Sequence, residues 1–412
     1  MDVTQLDATD PAYKDDPYRT YAGLPPVSRV TLNGMPAWLV TRYDYVRRAF
    51  SDPHLSNDLG HLNAAIDAGG AWVTAERAMG LDRNLLRSDG ATHGRLRRLV
   101  SKAFTPARIE SMRPKVEAMA DELAARFRSR GEVELIGEFA FPFALTVIME
   151  LLGMPEDEQA QFHLWARQMV PRPDTQEEQK AGYAAVRGYF TELVAKKVRE
   201  PGDDLLSALV KVRDEGNRLD EEELLGMAWL LFTAGHSTTA DLIGTGTLAL
   251  LNNPDRLAEL RADPARLPAA IEECIRFDGA LELAISRFTT GPVTFGDVTI
   301  PGDGQVVLLA IAAADRDPGR FPDPDRFDPR RDASGHVGFG HGIHYCLGVS
   351  LARMELAIAF RIILGLRDLE LADTRLAWHV NPHLRGLDAL PLRFTPGEAP
   401  SASPRSATPP RP

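Results

Sequence analysis

Residues Leu224 to Leu251, LLGMAWLLFTAGHSTTADLIGTGTLALL, make a long stretch that is apolar nearly all round. A helix of that kind belongs either in a bilayer or in the middle of a large core. His236, Asp241 and a cluster of Ser and Thr sit in its centre, and no other segment resembles a membrane span. A buried helix is therefore expected. Asp220 with Glu223 has the pattern of a capping box at its start, and Asn252-Asn253-Pro254 stops it. At ~1.5 Å per residue, a helix over 221–251 is about 46 Å long and crosses a whole domain.

Other segments have to wrap this element. Apolar residues recur at helical spacing over 108–129, 140–152, 178–199 and 203–213. VSRVTL and MPAWLV flank Asn33-Gly34, which favours a type I′ turn, so a hairpin is expected there. Residues 292–310 read as a second strand-rich patch, and LRGLDALPLRF as a short strand pair. No repeat or linker divides the chain. From Gly397 onward GEAPSASPRSATPPRP cannot bury apolar surface. The expectation is one mainly α domain over 1–396 with small peripheral β-sheets, followed by a disordered Pro/Ser/Ala-rich tail over 397–412.

A net charge of -11 argues against gripping nucleic acid or an anionic membrane. The opening residues MDVTQLDATDPAYKDDPY have neither a cationic nor an apolar leader pattern, so no signal peptide or membrane anchor is expected. Two cysteines, Cys274 and Cys346, make no disulfide framework and suit a reducing, cytoplasmic location. Most basic residues are arginine, alongside much alanine, a usage that fits a G+C-rich bacterial genome.

The most informative segment is Phe339-Gly340-His341-Gly342-Ile343-His344-Tyr345-Cys346-Leu347-Gly348. Its glycines imply a tight loop or close approach to something bulky. The helical pattern LGVSLARMELAIAFRIIL begins right after Cys346, and a helix N-terminus favours a thiolate. An inert buried cysteine would explain neither the glycines nor His344.

This loop resembles the haem-binding signature of the cytochrome P-450 superfamily, F-G-x-G-x-H-x-C-x-G, at every specified position. The resemblance implies the family's single, triangular-prism-like domain around a long central helix. It implies haem b (iron protoporphyrin IX) with Cys346 as the axial ligand of the iron, a thiolate that favours O–O cleavage. Phe339 would pack on the thiolate side of the haem, with Gly340 in the loop, and Gly348 would let the next helix pass close beneath the ring. Glu273 and Arg276 match the family's E-x-x-R, which a later arginine completes as a structural network. Arg326 is the expected partner. His93 and Arg97 match the H-x-x-x-R that meets a haem propionate, and Arg287 and His344 match the other propionate contacts.

Within the central stretch, Ala234-Gly235-His236-Ser237-Thr238-Thr239 resembles the family's A-G-x-[Asp/Glu]-T. The pattern implies that Ala234 and Gly235 let the helix approach the haem, and that an acid and an alcohol relay protons beside it. Thr238 matches the alcohol, but Ser237 replaces the acid, and a serine is no proton reservoir near neutral pH. A bland alternative is that these hydroxyls bond back to carbonyls one turn earlier. Three explanations of the departure stand: water or a substrate hydroxyl completes the relay, Asp241 contributes through water, or the enzyme is slow or non-hydroxylating.

The resemblance thus implies a haem-thiolate monooxygenase that uses O2 to hydroxylate or epoxidise a hydrophobic small molecule, such as a macrolide or other polyketide of secondary metabolism. It would act as a cytoplasmic monomer, with electrons from a ferredoxin and its NAD(P)H-dependent reductase. Arg95, Arg98, Lys102, Arg108 and Arg353 are the candidate docking patch. By analogy the substrate would meet Leu283, Ala284, Ile285 and Leu387, within segments 59–87, 162–183, 230–238, 283–285 and 383–388. The alternatives are non-hydroxylating ring coupling or peroxide-driven chemistry on the same iron, and a non-catalytic haem sensor or helper.

Overall fold

The computed structural model describes residues 3–32, 34–61, 75–155, 176–212 and 217–397. The expected tail, apart from Gly397, lies outside the described residues, as do parts of two expected substrate segments, 62–74 and 162–175. Among the described residues the longer helices are α1 (Gly90–Ala103), α2 (Pro106–Ala125), α3 (Phe141–Leu152), α4 (Gln176–Arg199) and α5 (Leu205–Lys211). They continue with α6 (Glu221–Leu251), α7 (Pro254–Ala262), α8 (Leu267–Asp278) and α9 (Val349–Leu364).

The long apolar stretch is α6. Its capping box forms: Asp220 Oδ1 accepts the Glu223 backbone N–H at 2.9 Å, and Glu223 Oε2 accepts that of Asp220 at 3.0 Å. Pro254 starts α7 directly after it. Trp229, Phe232, Leu242 and Leu250 are buried on different sides of α6, which packs against α3, α4, α8 and α9. The helix is therefore the axis of the core. No helix among the described residues is long and apolar enough to cross a membrane.

The sheets lie outside the helical core. The expected hairpin strands pair, β2 (Val27–Leu32) antiparallel to β3 (Met35–Val40), with Val27 opposite Val40. These strands, β1 (Thr4–Leu6), β4 (Leu55–Ser56), β6 (Arg287–Thr289) and β9 (Val306–Leu309) form one sheet in the order β1-β2-β3-β9-β6-β4. A second sheet runs β10 (Arg367–Leu371), β11 (Pro391–Thr395), β5 (Glu132–Glu134), and β7 (Val293–Phe295) pairs with β8 (Val298–Ile300). The segment LRGLDALPLRF does not pair with itself. Its end is β11, between β10 and β5, while Leu384 and Leu387 bridge Leu281 and Trp378. Residues far apart in sequence supply those partners, so local pattern could not find them.

One buried ion pair ties helix to loop. Glu273 and Arg276 on α8 have no exposed side-chain surface. Their two parallel bonds are 2.7 and 2.9 Å, and Arg276 also donates to the carbonyls of Asp315 at 2.8 Å and Pro324 at 3.0 Å. The third member is Arg331, not Arg326. Arg331 Nε lies 3.3 Å from Glu273 Oε1, whereas the Arg326 side chain is 56% exposed and faces Asp328 at 3.5 Å. Arg326 contributes only its carbonyl, which accepts from Arg331 Nη2 at 3.1 Å. The turn carries residue 326 outward and brings residue 331 back to the acid.

Arg331→Ala is expected to lower stability by ~1–3 kcal/mol, the cost of leaving part of a buried acid unpaired, while Arg326→Ala stays within about 0.5 kcal/mol. Denaturant midpoints of the two variants check this. Equal losses would return the role to Arg326.

Candidate functional site

The cysteine loop is a knot of backbone bonds. Cys346 N–H donates to the Phe339 carbonyl at 3.0 Å, and Tyr345 N–H to that of Gly342 at 3.1 Å. Gly340 and Gly342 adopt φ of 71° and 74°, which side-chain-bearing residues rarely tolerate. A Cβ at Gly342 would also lie 2.6 Å from Ser51 Oγ. Gly348 has an ordinary φ of -83° as the N-cap of α9, and a Cβ there would sit 3.8 Å from Cys346 Sγ. Its backbone does not demand glycine; what it leaves clear is space beside the sulphur. Phe339 is 9% exposed, with the Arg353 guanidinium 5.3 Å from its ring centre.

Cys346 is exposed, though protein crowds it. Burial pushes its thiol above the usual value, opposed by a backbone hydrogen bond from Gly348 and the charges of Arg97 and Arg353. The helix start alone thus does not make the thiolate expected from sequence; a cation bound to the sulphur would.

Around this loop stand basic groups with few acids. Arg97, on α1, donates Nη1 to the Tyr345 carbonyl at 2.9 Å. His93, one turn earlier, is buried with its ring centre 4.5 Å from that of His344 and its Nε2 without a partner among the described residues. Arg287, on β6, is 3% exposed; Nη1 donates to the Leu55 carbonyl at 3.2 Å and Nε has no partner. Burial lowers all three, His93 to about 4 and Arg287 to about 10. His344 differs from expectation: its Nε2 is already taken by Asp89 at 3.0 Å. Burial opposes ionisation of Asp89, but His344, Ser56 and the Asn57 N–H hold its carboxyl well below the usual range. Asp89 is the site residue that sequence reading missed. Preceding a helix, it looks like an ordinary cap, yet it makes no capping bond with its side chain.

These residues fit a haem. A reachable sulphur at a helix start is a metal ligand, and buried donors without carboxylate partners suit a group bearing carboxylates. His93, Arg97 and Arg287 would hold the propionates, with His344 positioned between His93 and Asp89.

On α6, Ala234 is exposed while most of the helix is buried. Gly235 does not serve the approach to haem, because a Cβ there would lie 2.5 Å from Ile148 Cδ1; its smallness seats α3. Thr238 Oγ1 donates to the Ala234 carbonyl at 3.0 Å, the back-bonding alternative, which leaves its lone pairs as acceptors. Ser237 is half-buried beside it. Of the expected substrate residues, Leu283 and Leu387 are wholly buried in core clusters, because Leu283 pairs with Ala310 and Leu387 with Trp378. They are packing residues. Ala284 is 7% exposed, and only Ile285 of the four is half-buried.

Three of the five expected docking residues stand in ion pairs. Arg95 pairs with Glu223, Arg108 with Asp203 at 3.5 Å, and Arg353 with Glu272 at 2.7 Å. Arg98 and Lys102 share α1 with Arg97.

Comparison with known proteins agrees with this geometry. The model of the family Cytochrome P450 matches residues 155–376. The chain is 45% identical over 402 residues to cytochrome P450 107B1 of Saccharopolyspora erythraea, covering 95% of this chain and 98% of that protein. It is 39% identical over 412 residues to 6-deoxyerythronolide B hydroxylase of the same organism, covering 95% and 99%. The solved structure of the tirandamycin C-bound P450 monooxygenase TamI superposes with a TM-score of 0.86 at 40% identity, over 95% of this chain and 100% of that one.

Arg287→Leu should raise the rate of haem loss to a scavenging apoglobin at least roughly tenfold, since a charge-assisted hydrogen bond contributes ~1.5–3 kcal/mol. Unchanged haem retention would remove Arg287 from the cofactor site.

Proposed function

The chain belongs to the cytochrome P450 family, and from that premise we propose that it is a haem-thiolate monooxygenase that oxidises a hydrophobic secondary metabolite of the polyketide or macrolide kind. The observation that carries this reading is the convergence of buried His93 and Arg287 and half-buried Arg97, none bonded to a carboxylate among the described residues, on the loop that presents Cys346. Bound haem b supplies iron for O2 activation: one oxygen atom enters a C–H or C=C bond, and two electrons and two protons reduce the other to water. Cys346 would hold the haem iron through its sulphur, and Arg97 and Arg353 nearby would favour its anionic form. Thr238, its own proton committed to Ala234, holds a water by its lone pairs. Ser237 orients that water but stores no proton.

The electrons come from a ferredoxin and its NAD(P)H-dependent reductase, docking where Arg98 and Lys102 lie on α1, and the enzyme works as a cytoplasmic monomer. The substrate class rests on the relatives, since Ala284 and Ile285 supply only apolar contact. One observation favours a second reading. Ser237 in the acid position suits peroxide-driven oxidation, in which hydrogen peroxide brings its own two protons, whether the product is hydroxylated or ring-coupled.

With surrogate ferredoxin, reductase and isotopically labelled dioxygen, one labelled oxygen should appear per product and one NAD(P)H be consumed. Product that forms only with added peroxide would favour the second reading. Arg98→Glu with Lys102→Glu should raise the ferredoxin concentration for half-maximal reduction several-fold; no change would move the docking face elsewhere.

A further inference from the structure

The loss of an acid at Ser237 leaves the proton supply unassigned, and α6 carries another acid on the same stripe. At roughly 100° per residue, Ala234, Ser237 or Thr238, and Asp241 fall at i, i+3/i+4 and i+7 along one face. Asp241 is 3% exposed. Its Oδ1 lies 3.0 Å from His379 Nε2, and His379 Nδ1 lies 2.8 Å from Asp388 Oδ1. The side chains of His379 and Asp388 reach solvent, at 32% and 55% exposed. Asp241 Oδ2 is buried and has no hydrogen-bond partner among the described residues.

We propose that Asp388, His379 and Asp241 form a proton path from solvent to the oxygen pocket beside Thr238, taking the place of the acid absent at position 237. This rests on the monooxygenase reading. Asp388 accepts Nδ1–H and keeps the ring oriented. His379 gives its Nε2 proton to Asp241 Oδ1 and recovers one from solvent at its exposed edge. The Asp241 carboxyl then turns over to bring that O–H to the Oδ2 side, gives the proton to water held at Ser237 and Thr238, and turns back ionised. Each proton that reaches the pocket leaves solvent, so charge balances against the electrons of the reductase.

The surroundings are built around this contact. His379 N–H donates to the Gly386 carbonyl and Asp388 N–H to that of Ala377, both at 2.9 Å, pinning 377–379 against 386–388 over α6. A Cβ at Gly386 would lie 2.0 Å from Asp241 Oδ1, so only glycine lets this backbone cover the acid. A purely structural latch would satisfy both carboxylate oxygens; this one leaves the oxygen away from His379 unbonded. Burial lowers His379, but its two carboxylate bonds raise it to about 9, so the ring is charged at neutral pH. Burial raises Asp241, with His379 and Lys14 opposing and Asp388 reinforcing. The other charges near the cluster are paired, Lys14 with Glu282 at 2.7 Å and Arg385 with Asp278. Stability from the His379 cation is full below its ordinary 6.5 and is lost as pH rises through about 9.

The test uses holoenzyme with Asp241→Asn and, independently, the more exposed His379→Gln. Each should leave the reduced carbon-monoxide spectrum and substrate-induced spin shift unchanged. Each should raise the share of electrons released as hydrogen peroxide several-fold and enlarge the solvent isotope effect on product formation. Ser237→Glu added to Asp241→Asn should restore coupling. Histidine NMR of the diamagnetic carbon-monoxide complex should find His379 protonated at neutral pH, and titrating at least about one unit lower in Asp241→Asn. Wild-type coupling in both variants, or a His379 neutral at pH 7 in the wild type, overturns the path alone. A wild type that consumes no NAD(P)H overturns the monooxygenase reading and the path with it.

Discussion

Glu273 and Arg276 place opposite charges where no side-chain surface meets solvent, so every one of their hydrogen bonds has to come from protein. Those bonds come from one irregular segment: the carbonyls of Asp315 and Pro324, the Asp328 N–H and the Arg331 guanidinium. Removing any partner strands a buried charge, which makes the segment's course specific as well as stable. The neighbouring acid continues the arrangement. Glu272 binds His336 at 3.2 Å just before the cysteine loop and Arg353 at 2.7 Å just after it. Two consecutive acids on α8 therefore fix the approach to Cys346 and its exit.

The same chain handles charge differently on the other side of that loop. The E-x-x-R region is saturated with partners, whereas buried His93 and Arg287 and half-buried Arg97 have no carboxylate bonded to them among the described residues. Buried guanidinium or imidazole donors left without a partner cost stability. They persist where binding offsets that cost, and a dicarboxylate macrocycle with a metal for Cys346 satisfies both the cations and the thiol. The fold keeps binding free energy in reserve at one face and spends none of it on internal salt bridges there.

Much of the architecture was legible because α6 announces itself. Its apolar run, capping box and stop dictate a central helix, and the glycines and cysteine of 339–348 dictate a ligand loop. The legible parts are local. Arg331 takes the place expected for Arg326 because a turn decides which of two nearby arginines faces the acid, and one-dimensional spacing does not encode that turn. Gly235 was assigned to the haem when Ile148 of α3 claims its space. No sequence motif marks Asp89, and Leu283 and Leu387, expected in the pocket, are placed in the core by bridges to Ala310 and Trp378. The Asp241–His379–Asp388 series joins residues more than 130 positions apart, and only the folded chain brings them together.

The claim on which everything else rests is that Cys346 binds the haem iron as a thiolate. The absorption spectrum of the reduced, carbon-monoxide-treated holoprotein reads that bond directly. The account predicts the strongly red-shifted Soret band of thiolate ligation in the wild type and its loss in Cys346→His. A histidine-type band in the wild-type protein, or the same thiolate band after Cys346→His, would contradict it.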